Sequence, residues 1–379
     1  MQNGKFIIAK LWPGYGGDVP SRTPVILGVN PQKYETICIY HTKNSGNPNV
    51  FEQNGKKVFY LTRKPSLGLL KFFAIFKLAA LLKKQQVDIL DCHHHKSVIY
   101  GAIASKLAGV PVIIANVHGL GRTRNIKRKL LNFFILPRID RILAVGGAVK
   151  KDILQNNPSV KSEKVINIGN SIDYDHYASA RFDKKTVRNK FNIPQNAFVF
   201  ATAGRLSQTK GQKFLIEAFS QVKKQIPNAE LLIAGTGELE DELKKQAVET
   251  GCETSIHFLG RVNNMPEIYS AADVFVLPSI AEGLPRSIME AMAAGVICIA
   301  SNAGGIPEIV DNGRFGFLVA PKDSNALCEA MLKTAGMSSD EKIKTISSAK
   351  NHIQGNYSHG IMIKRMEKIY NSLVSEKIG

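Results

Sequence analysis

Between Phe198 and Ala271 the chain alternates short apolar runs with longer stretches of helical period. Phe198-Val-Phe-Ala-Thr-Ala203 reads as a strand, 212–225 as a helix, 230–234 as a strand, 238–250 as a helix, 255–259 as a strand and 265–271 as a helix. A tight hairpin joins only antiparallel neighbours, whereas a helical crossover joins parallel ones. A doubly wound parallel sheet is therefore expected here.

The first half reads the same way. Strands are expected at Lys5–Trp12, Thr36–Tyr40, Lys57–Leu61, Val87–His95, Val112–Gly119, Ile142–Val145 and Lys164–Ile168, with a helix over 68–86. The first strand runs into Pro13-Gly-Tyr-Gly-Gly17, read as a glycine-rich turn of the kind that lets backbone approach a phosphate, with a plain strand–helix turn as the alternative. A length of 379 residues suits two domains with a core each. Their expected extents are 1–170 and 171–356, followed by a terminal helix in 357–379. The most hydrophobic window, Ser97–Val117, holds Lys106 and the break Gly109-Val-Pro111, so it reads as helix, turn and strand rather than a membrane span. No signal-peptide pattern precedes the first strand.

Ala272-Asp-Val-Phe-Val-Leu-Pro-Ser279 reads as another buried strand, and Pro285 to Gly295 as one compact helix. Pro285 suits the first helical position and Gly295 the left-handed position past the end. Glu282 then lies in the loop before the helix, and Glu290 about a turn and a half inside it. The free N–H groups and positive dipole end of the helix point the same way as Glu282. An anion cradle flanked by two carboxylates suits a ligand carrying both phosphate and neutral hydroxyls, such as a nucleotide sugar. An ordinary strand–loop–helix with solvated glutamates is the alternative.

Glu282 to Glu290 resembles the spaced two-glutamate signature of the retaining glycosyltransferases of family 4, which have the GT-B fold. Around it, Gly204-Arg-Leu-Ser-Gln-Thr-Lys-Gly211, Ala234-Gly-Thr-Gly-Glu-Leu239, Phe258-Leu-Gly-Arg-Val262 and Gly304-Gly-Ile-Pro-Glu308 stand in that family's order and spacing. The resemblance covers most of the second half. It implies two Rossmann-like α/β domains facing across a cleft, with the last helix returning onto the first domain. The implied reaction moves a hexose-type sugar from a UDP- or GDP-linked donor, with no cofactor and no metal.

As the glycosidic bond breaks, negative charge grows on the leaving diphosphate, and catalysis needs positive charge waiting there. Arg205 and Lys210 share one glycine-bordered loop and offer a planar fork and a point charge for phosphate oxygens. The resemblance implies that Glu290 takes the ribose hydroxyls and Glu282 those of the transferred sugar, beside the backbone of Gly283, Leu284 and Pro285. Backbone around Arg261 and Val262 is implied for the base, and Gly16 and Gly17 for the diphosphate. His118 ends its strand at the carboxyl side, where open α/β sheets bind ligands; the resemblance implies that it reaches the donor sugar or the acceptor. His118, Arg205, Lys210 and Glu282 are thus the expected catalytic set.

No metal site is expected. The five cysteines are scattered, which also favours a reducing cytoplasm, and neighbouring histidines in His93-His-His95 alternate faces along a strand. The family resemblance implies that one of those three edges the acceptor cleft. Asp173-Tyr-Asp175 mimics a metal motif of a different glycosyltransferase fold and is read as coincidence.

Charge is concentrated in one half. Residues 1–170 hold 26 Lys and Arg against 8 Asp and Glu, so nearly all of the net +19 lies there. A basic half implies an anionic partner. Arg122, Arg124, Lys127, Arg128 and Lys129 lead into the apolar run Leu130-Leu-Asn-Phe-Phe-Ile-Leu136, a pattern suited to an anionic membrane face. A solvated loop ahead of a core helix fits equally. For Lys71-Phe-Phe-Ala-Ile-Phe-Lys77, a helix packing its phenylalanines on the sheet is expected over one lying in a membrane interface. The expected acceptor is anionic, lipid-linked or otherwise phosphorylated, as in assembly of lipopolysaccharide, capsule or exopolysaccharide at the inner face of the plasma membrane. A soluble acceptor such as a sugar phosphate is the alternative. A nucleic-acid binder is the rival from another class, but no nucleic-acid motif or stacking platform is present.

Overall fold

A computed structural model describes residues 4–15, 23–43, 49–62, 70–121 and 126–379, without the side chains of Leu70, Lys71, Phe72 and Lys127. Gly16 and Gly17 lie outside the described residues, as do Asp18, Arg22, Arg122 and Arg124. The chain divides into two compact units, 1–171 with 359–379, and 172–358.

In the first unit the strands are β1 (Phe6–Tyr15), β2 (Tyr34–Lys43), β3 (Val58–Thr62), β4 (Ile89–His93), β5 (Val112–Val117), β6 (Arg141–Ala144) and β7 (Val165–Asn167). They form one parallel sheet in the order 3-2-1-4-5-6-7. The helices between them are α1 (Thr23–Leu27), α2 (Val50–Gln53), α3 (Leu70–Lys84), α4 (His95–Ala108), α5 (Ile126–Ile135) and α6 (Gly147–Asn156). Ile7, Ile8, Ala9, Leu11 and Trp12 are all buried, as is Lys10 among them, the pattern of a strand covered on both faces.

In the second unit the strands are β8 (Phe198–Ala203), β9 (Ala229–Ala234), β10 (Ile256–Gly260), β11 (Val274–Leu277), β12 (Ile297–Ser301) and β13 (Phe317–Val319), in the order 10-9-8-11-12-13. Every pairing is parallel. Helices α7 (Tyr174–Ser179) and α8 (Lys184–Lys190) precede this sheet. Among and after its strands come α9 (Gln212–Gln225), α10 (Glu240–Glu249), α11 (Met265–Ala271), α12 (Arg286–Ala294), α13 (Ile306–Ile309), α14 (Ser324–Ala335) and α15 (Ser339–Tyr357). The strand order reverses between β8 and β11. The loops leaving the carboxyl ends of those two strands are where such sheets bind ligands.

The last helix, α16 (His359–Lys377), belongs to the first unit. Met362, Met366, Ile369, Tyr370 and Leu373 recur at helical spacing and pack with Ile8, Ile89, Val112, Ile114 and Leu143 of the sheet. Tyr357, expected within this helix, instead ends α15.

Four local expectations are corrected. Pro13-Gly-Tyr is not a turn: β1 continues through it, pairing Gly14 with Thr42 and Tyr15 with Lys43. The ladder skips Pro13, which has no N–H to donate, while the Thr42 hydroxyl donates to its carbonyl at 3.2 Å. The three histidines do not share a strand. His93 ends β4, His94 takes φ 68° and His95 opens α4.

Pro285 is extended, with ψ 134°, and α12 begins one residue later at Arg286. On α3 the inward face is aliphatic (Ala74, Ile75, Leu78, Ala79, Leu82), while Phe73 and Phe76 are 67% and 62% exposed. The helix packs against α4 and β3, and Phe73 and Phe76 are left outside.

Candidate active site

In the second unit, two loops carry the expected site residues. The first, 204–211, leaves β8; the second, 278–285, leaves β11 and enters α12. They are tied together by Ile280 N–H donating to the Thr209 carbonyl at 2.8 Å. Each is also wedged by a glycine of a neighbouring segment. A Cβ on Gly235 would sit 1.9 Å from the Gly204 carbonyl oxygen, and one on Gly304 would sit 1.9 Å from that of Glu282. Both glycines have positive φ, 141° and 58°, so a side chain is excluded by contact and by backbone together. The glycine motifs thus fix the two loops from outside the site.

Within that frame Lys210 Nζ lies 2.6 Å from Glu282 Oε1, which also accepts from the Ser279 hydroxyl at 2.8 Å. Ser279 is fully buried, so the carboxylate is held in one orientation. Arg205, five residues from Lys210 on the same loop, is exposed, and its backbone carbonyl accepts from the Gln212 amide at 3.0 Å. No carboxylate among the described residues pairs with its guanidinium. No side chain caps α12, whose first-turn N–H groups face the same loop.

Glu290 sits one turn inside α12 and is buried. Its Oε1 pairs with Arg286 at 3.0 Å, and its Oε2 accepts from the Tyr269 hydroxyl at 3.2 Å. Burial, reinforced by the charge of Glu290, pushes the hydroxyls of Tyr269 and Tyr177 far above the usual phenol range. Both stay protonated and donate. Gly283, Leu284 and Pro285 lie in the entry to α12, with Leu284 and Pro285 buried, and Arg261 and Val262 follow β10 with Arg261 exposed.

Four partners were absent from the expected set: Ser279, Arg286, Tyr177 and Tyr269. The Arg286–Glu290 spacing of four along a helix was a readable signal. The two tyrosines come from segments distant in sequence and left none.

His118 belongs to the first unit, just beyond β5. Its Nε2 lies 3.3 Å from Nδ1 of His93, with the rings parallel and 5.6 Å apart. Trp12 stacks on His93 at 4.8 Å. Behind them Asp91 is fully buried and holds Lys10 at 2.5 Å, the Tyr370 hydroxyl at 2.9 Å and the Asn116 amide. His93 Nε2 comes within 3.7 Å of the same carboxylate. Three strands and α16 therefore set the ring beside His118.

Among the described residues, no group of three or more His, Cys, Asp or Glu is set for a metal ion, and Asp173 caps α7 by accepting from His176 N–H at 3.1 Å. No described helix is long and apolar enough to cross a membrane.

Comparison with known proteins decides the family. The profile of glycosyltransferase family 4 matches residues 32–176, and that of glycosyl transferases group 1 matches 183–350. The UDP-Gal:alpha-D-GlcNAc-diphosphoundecaprenol alpha-1,3-galactosyltransferase of Escherichia coli is 31% identical over 341 residues, covering 86% of each chain. The chain belongs to glycosyltransferase family 4.

A second relative is the N,N'-diacetylbacillosaminyl-diphospho-undecaprenol alpha-1,3-N-acetylgalactosaminyltransferase of Campylobacter jejuni. It is 26% identical over 372 residues, covering 93% of this chain and 95% of that protein. Among solved structures, HepE of Anabaena, crystallised with UDP and glucose, superposes with a TM-score of 0.80 at 23% identity, covering 96% of this chain and 99% of that one. The likeness extends over both units and establishes the GT-B fold for this glycosyltransferase.

Proposed function

We propose that this glycosyltransferase moves a hexose-type sugar from a nucleoside-diphosphate donor to a diphospho-lipid acceptor, in surface-glycan assembly of the lipopolysaccharide, capsule or exopolysaccharide type. The supporting observation is the Lys210–Glu282 contact at the strand-order reversal of the second unit, beside Arg205 and the α12 terminus. Lys210 and Arg205 meet the leaving diphosphate, and the N–H groups of α12 supply further positive potential. This charge serves in place of a divalent ion, so the reaction is metal-independent. Glu282 accepts from hydroxyls of the transferred sugar, and Glu290 from the ribose diol. A carboxylate has about four lone-pair sites, so Glu290 has capacity beyond Arg286 and Tyr269.

Retention follows if the acceptor attacks on the face from which the diphosphate leaves, with the leaving phosphate taking the acceptor's proton. In the first unit, His118 is assigned to the donor sugar or acceptor, held by its contact with His93. The diphospho-lipid acceptor is supported by the names of the two bacterial relatives.

Membrane association at the cytoplasmic face completes the proposal. On α5, Ile126, Leu130, Phe133 and Phe134 are 81%, 68%, 56% and 56% exposed, alongside Arg128 and Lys129. That is the composition of an interfacial helix. Two experiments test the function. UDP- and GDP-sugars should raise the melting temperature, and no response to any of them contradicts the donor assignment. Flotation with anionic liposomes should carry the protein upward and weaken for Phe133→Ser/Phe134→Ser; unchanged flotation contradicts the role of α5.

A further inference from the structure

Behind α5 the first unit holds a cavity of about 230 Å³ bounded by α4, β5, α5, β6 and α6. Its polar wall includes His95, Lys96, His118, Arg128 and Asn132, with His94 and Asn116 beside them, and its floor includes Ile142 and Ile153. Among the described residues no carboxylate lines it. The volume is below the ~300 Å³ at which whole small-molecule sites begin, so the cavity suits one end of a larger ligand.

A chain of hydrogen bonds fixes the chemistry of His95. The Ile153 carbonyl only accepts, so Asn157 Nδ2 donates to it at 2.8 Å. Asn157 Oδ1 then accepts from Asn132 Nδ2 at 3.0 Å. Asn132 Oδ1 is thereby left to accept from His95 Nε2 at 2.9 Å. With the proton on Nε2, a neutral His95 presents Nδ1 as an acceptor. Burial holds its pKa below the ordinary histidine range; the Asn132 bond opposes this and the charge of Arg128 adds to it.

Two cations together with an imidazole acceptor select a ligand that pairs an anion with a hydroxyl donor. Helix α5 adds the third requirement. Asn132 is 2% exposed on its inner side, while Leu130 and Phe133 on either side of it point outward. A ligand held beneath this helix meets apolar surface on leaving the cavity.

We propose that the cavity holds the phosphorylated sugar end of the lipid-linked acceptor, with Lys96 and Arg128 on its phosphate, His95 Nδ1 accepting from a sugar hydroxyl, and the lipid lying along the outside of α5. This rests on the function proposed above and adds the place and chemistry of acceptor capture.

The test measures binding of farnesyl-diphospho-N-acetylglucosamine, N-acetylglucosamine 1-phosphate and UDP to the full chain. The exposed pair Lys96→Gln/Arg128→Gln should weaken the first probe at least tenfold and leave UDP affinity, which reports on the second unit, unchanged. His95→Phe should weaken both sugar-bearing probes. Unchanged affinity of the double variant for the lipid-linked probe overturns the proposal, as does UDP binding with no binding of either sugar phosphate. The same affinity for the soluble probe as for the lipid-linked one overturns the role of α5. Loss of UDP binding by the wild-type chain alone would instead overturn the donor assignment for that nucleotide, leaving the cavity result to stand by itself.

Discussion

Lys210 Nζ and Glu282 Oε1 are 2.6 Å apart although 72 residues separate them in the chain. The contact joins the two loops at the strand-order reversal. Removing the cation costs transition-state stabilisation and also leaves a half-buried carboxylate without its partner. Lys210→Ala should lower kcat by about 10²–10³-fold. Combined with Glu282→Gln, the loss should fall well short of the sum of the single losses, because the two side chains act as a unit. A double-mutant cycle on kcat checks this, and additivity contradicts it.

Arg205 is exposed and has no carboxylate partner among the described residues. Arg205→Ala should therefore leave stability within ~0.5 kcal/mol of wild type while lowering the rate about 10²-fold or more. Urea unfolding and steady-state kinetics on the same preparation separate the two effects. A stable variant with full activity contradicts the assignment of Arg205 to the leaving group.

Glu290 holds Arg286 and the Tyr269 hydroxyl within a buried setting. Glu290→Ala should lower stability by about 1–3 kcal/mol through those unpaired groups, and should also weaken nucleoside-diphosphate binding. Tyr269→Phe removes one donor without removing the carboxylate, so it should lower stability and keep most of the affinity. Titration calorimetry with UDP or GDP checks this; equal affinity losses in the two variants contradict it.

His41 on β2 is 3% exposed, edge-on to Tyr100, and its Nε2 has no hydrogen-bond partner among the described residues. Burial, helped by the charge of Lys96, pushes its pKa down from 6.5 to about 4. Between those values the unfolded chain binds the proton and the folded one does not. Stability is therefore complete above pH 6.5 and falls as the pH drops, by roughly 3 kcal/mol at pH 4. His41→Leu should flatten that part of the profile in urea unfolding. An unaltered slope contradicts it.

The alternation of strands and helices was legible because the central strands, such as β4, β9, β11 and β12, are buried on both faces and each crossover helix has its own period. The loop residues of the second unit were legible through glycines that admit no side chain, such as Gly235 and Gly304. What the pattern hid was direction and partnership. An all-round apolar helix gives no sign of which face turns inward, so Phe73 and Phe76 were expected on the sheet and stand outside. Tyr177 and Tyr269 reach Glu290 from other segments, a relationship that local periodicity does not record. Pro13 looked like a stop, yet β2 continues alongside β1 and carries the ladder past it.

Transfer of sugar from a nucleotide to a diphospho-lipid is read from the glycolipid product itself. The purified chain, with EDTA present, is offered UDP- and GDP-hexoses together with a prenyl-diphospho-N-acetylglucosamine acceptor, and the lipid product is analysed by mass spectrometry and NMR. One added hexose per acceptor is expected from at least one donor, in the donor's own anomeric configuration. No glycolipid from any donor, a strict need for a divalent ion, or an inverted anomeric centre would contradict it.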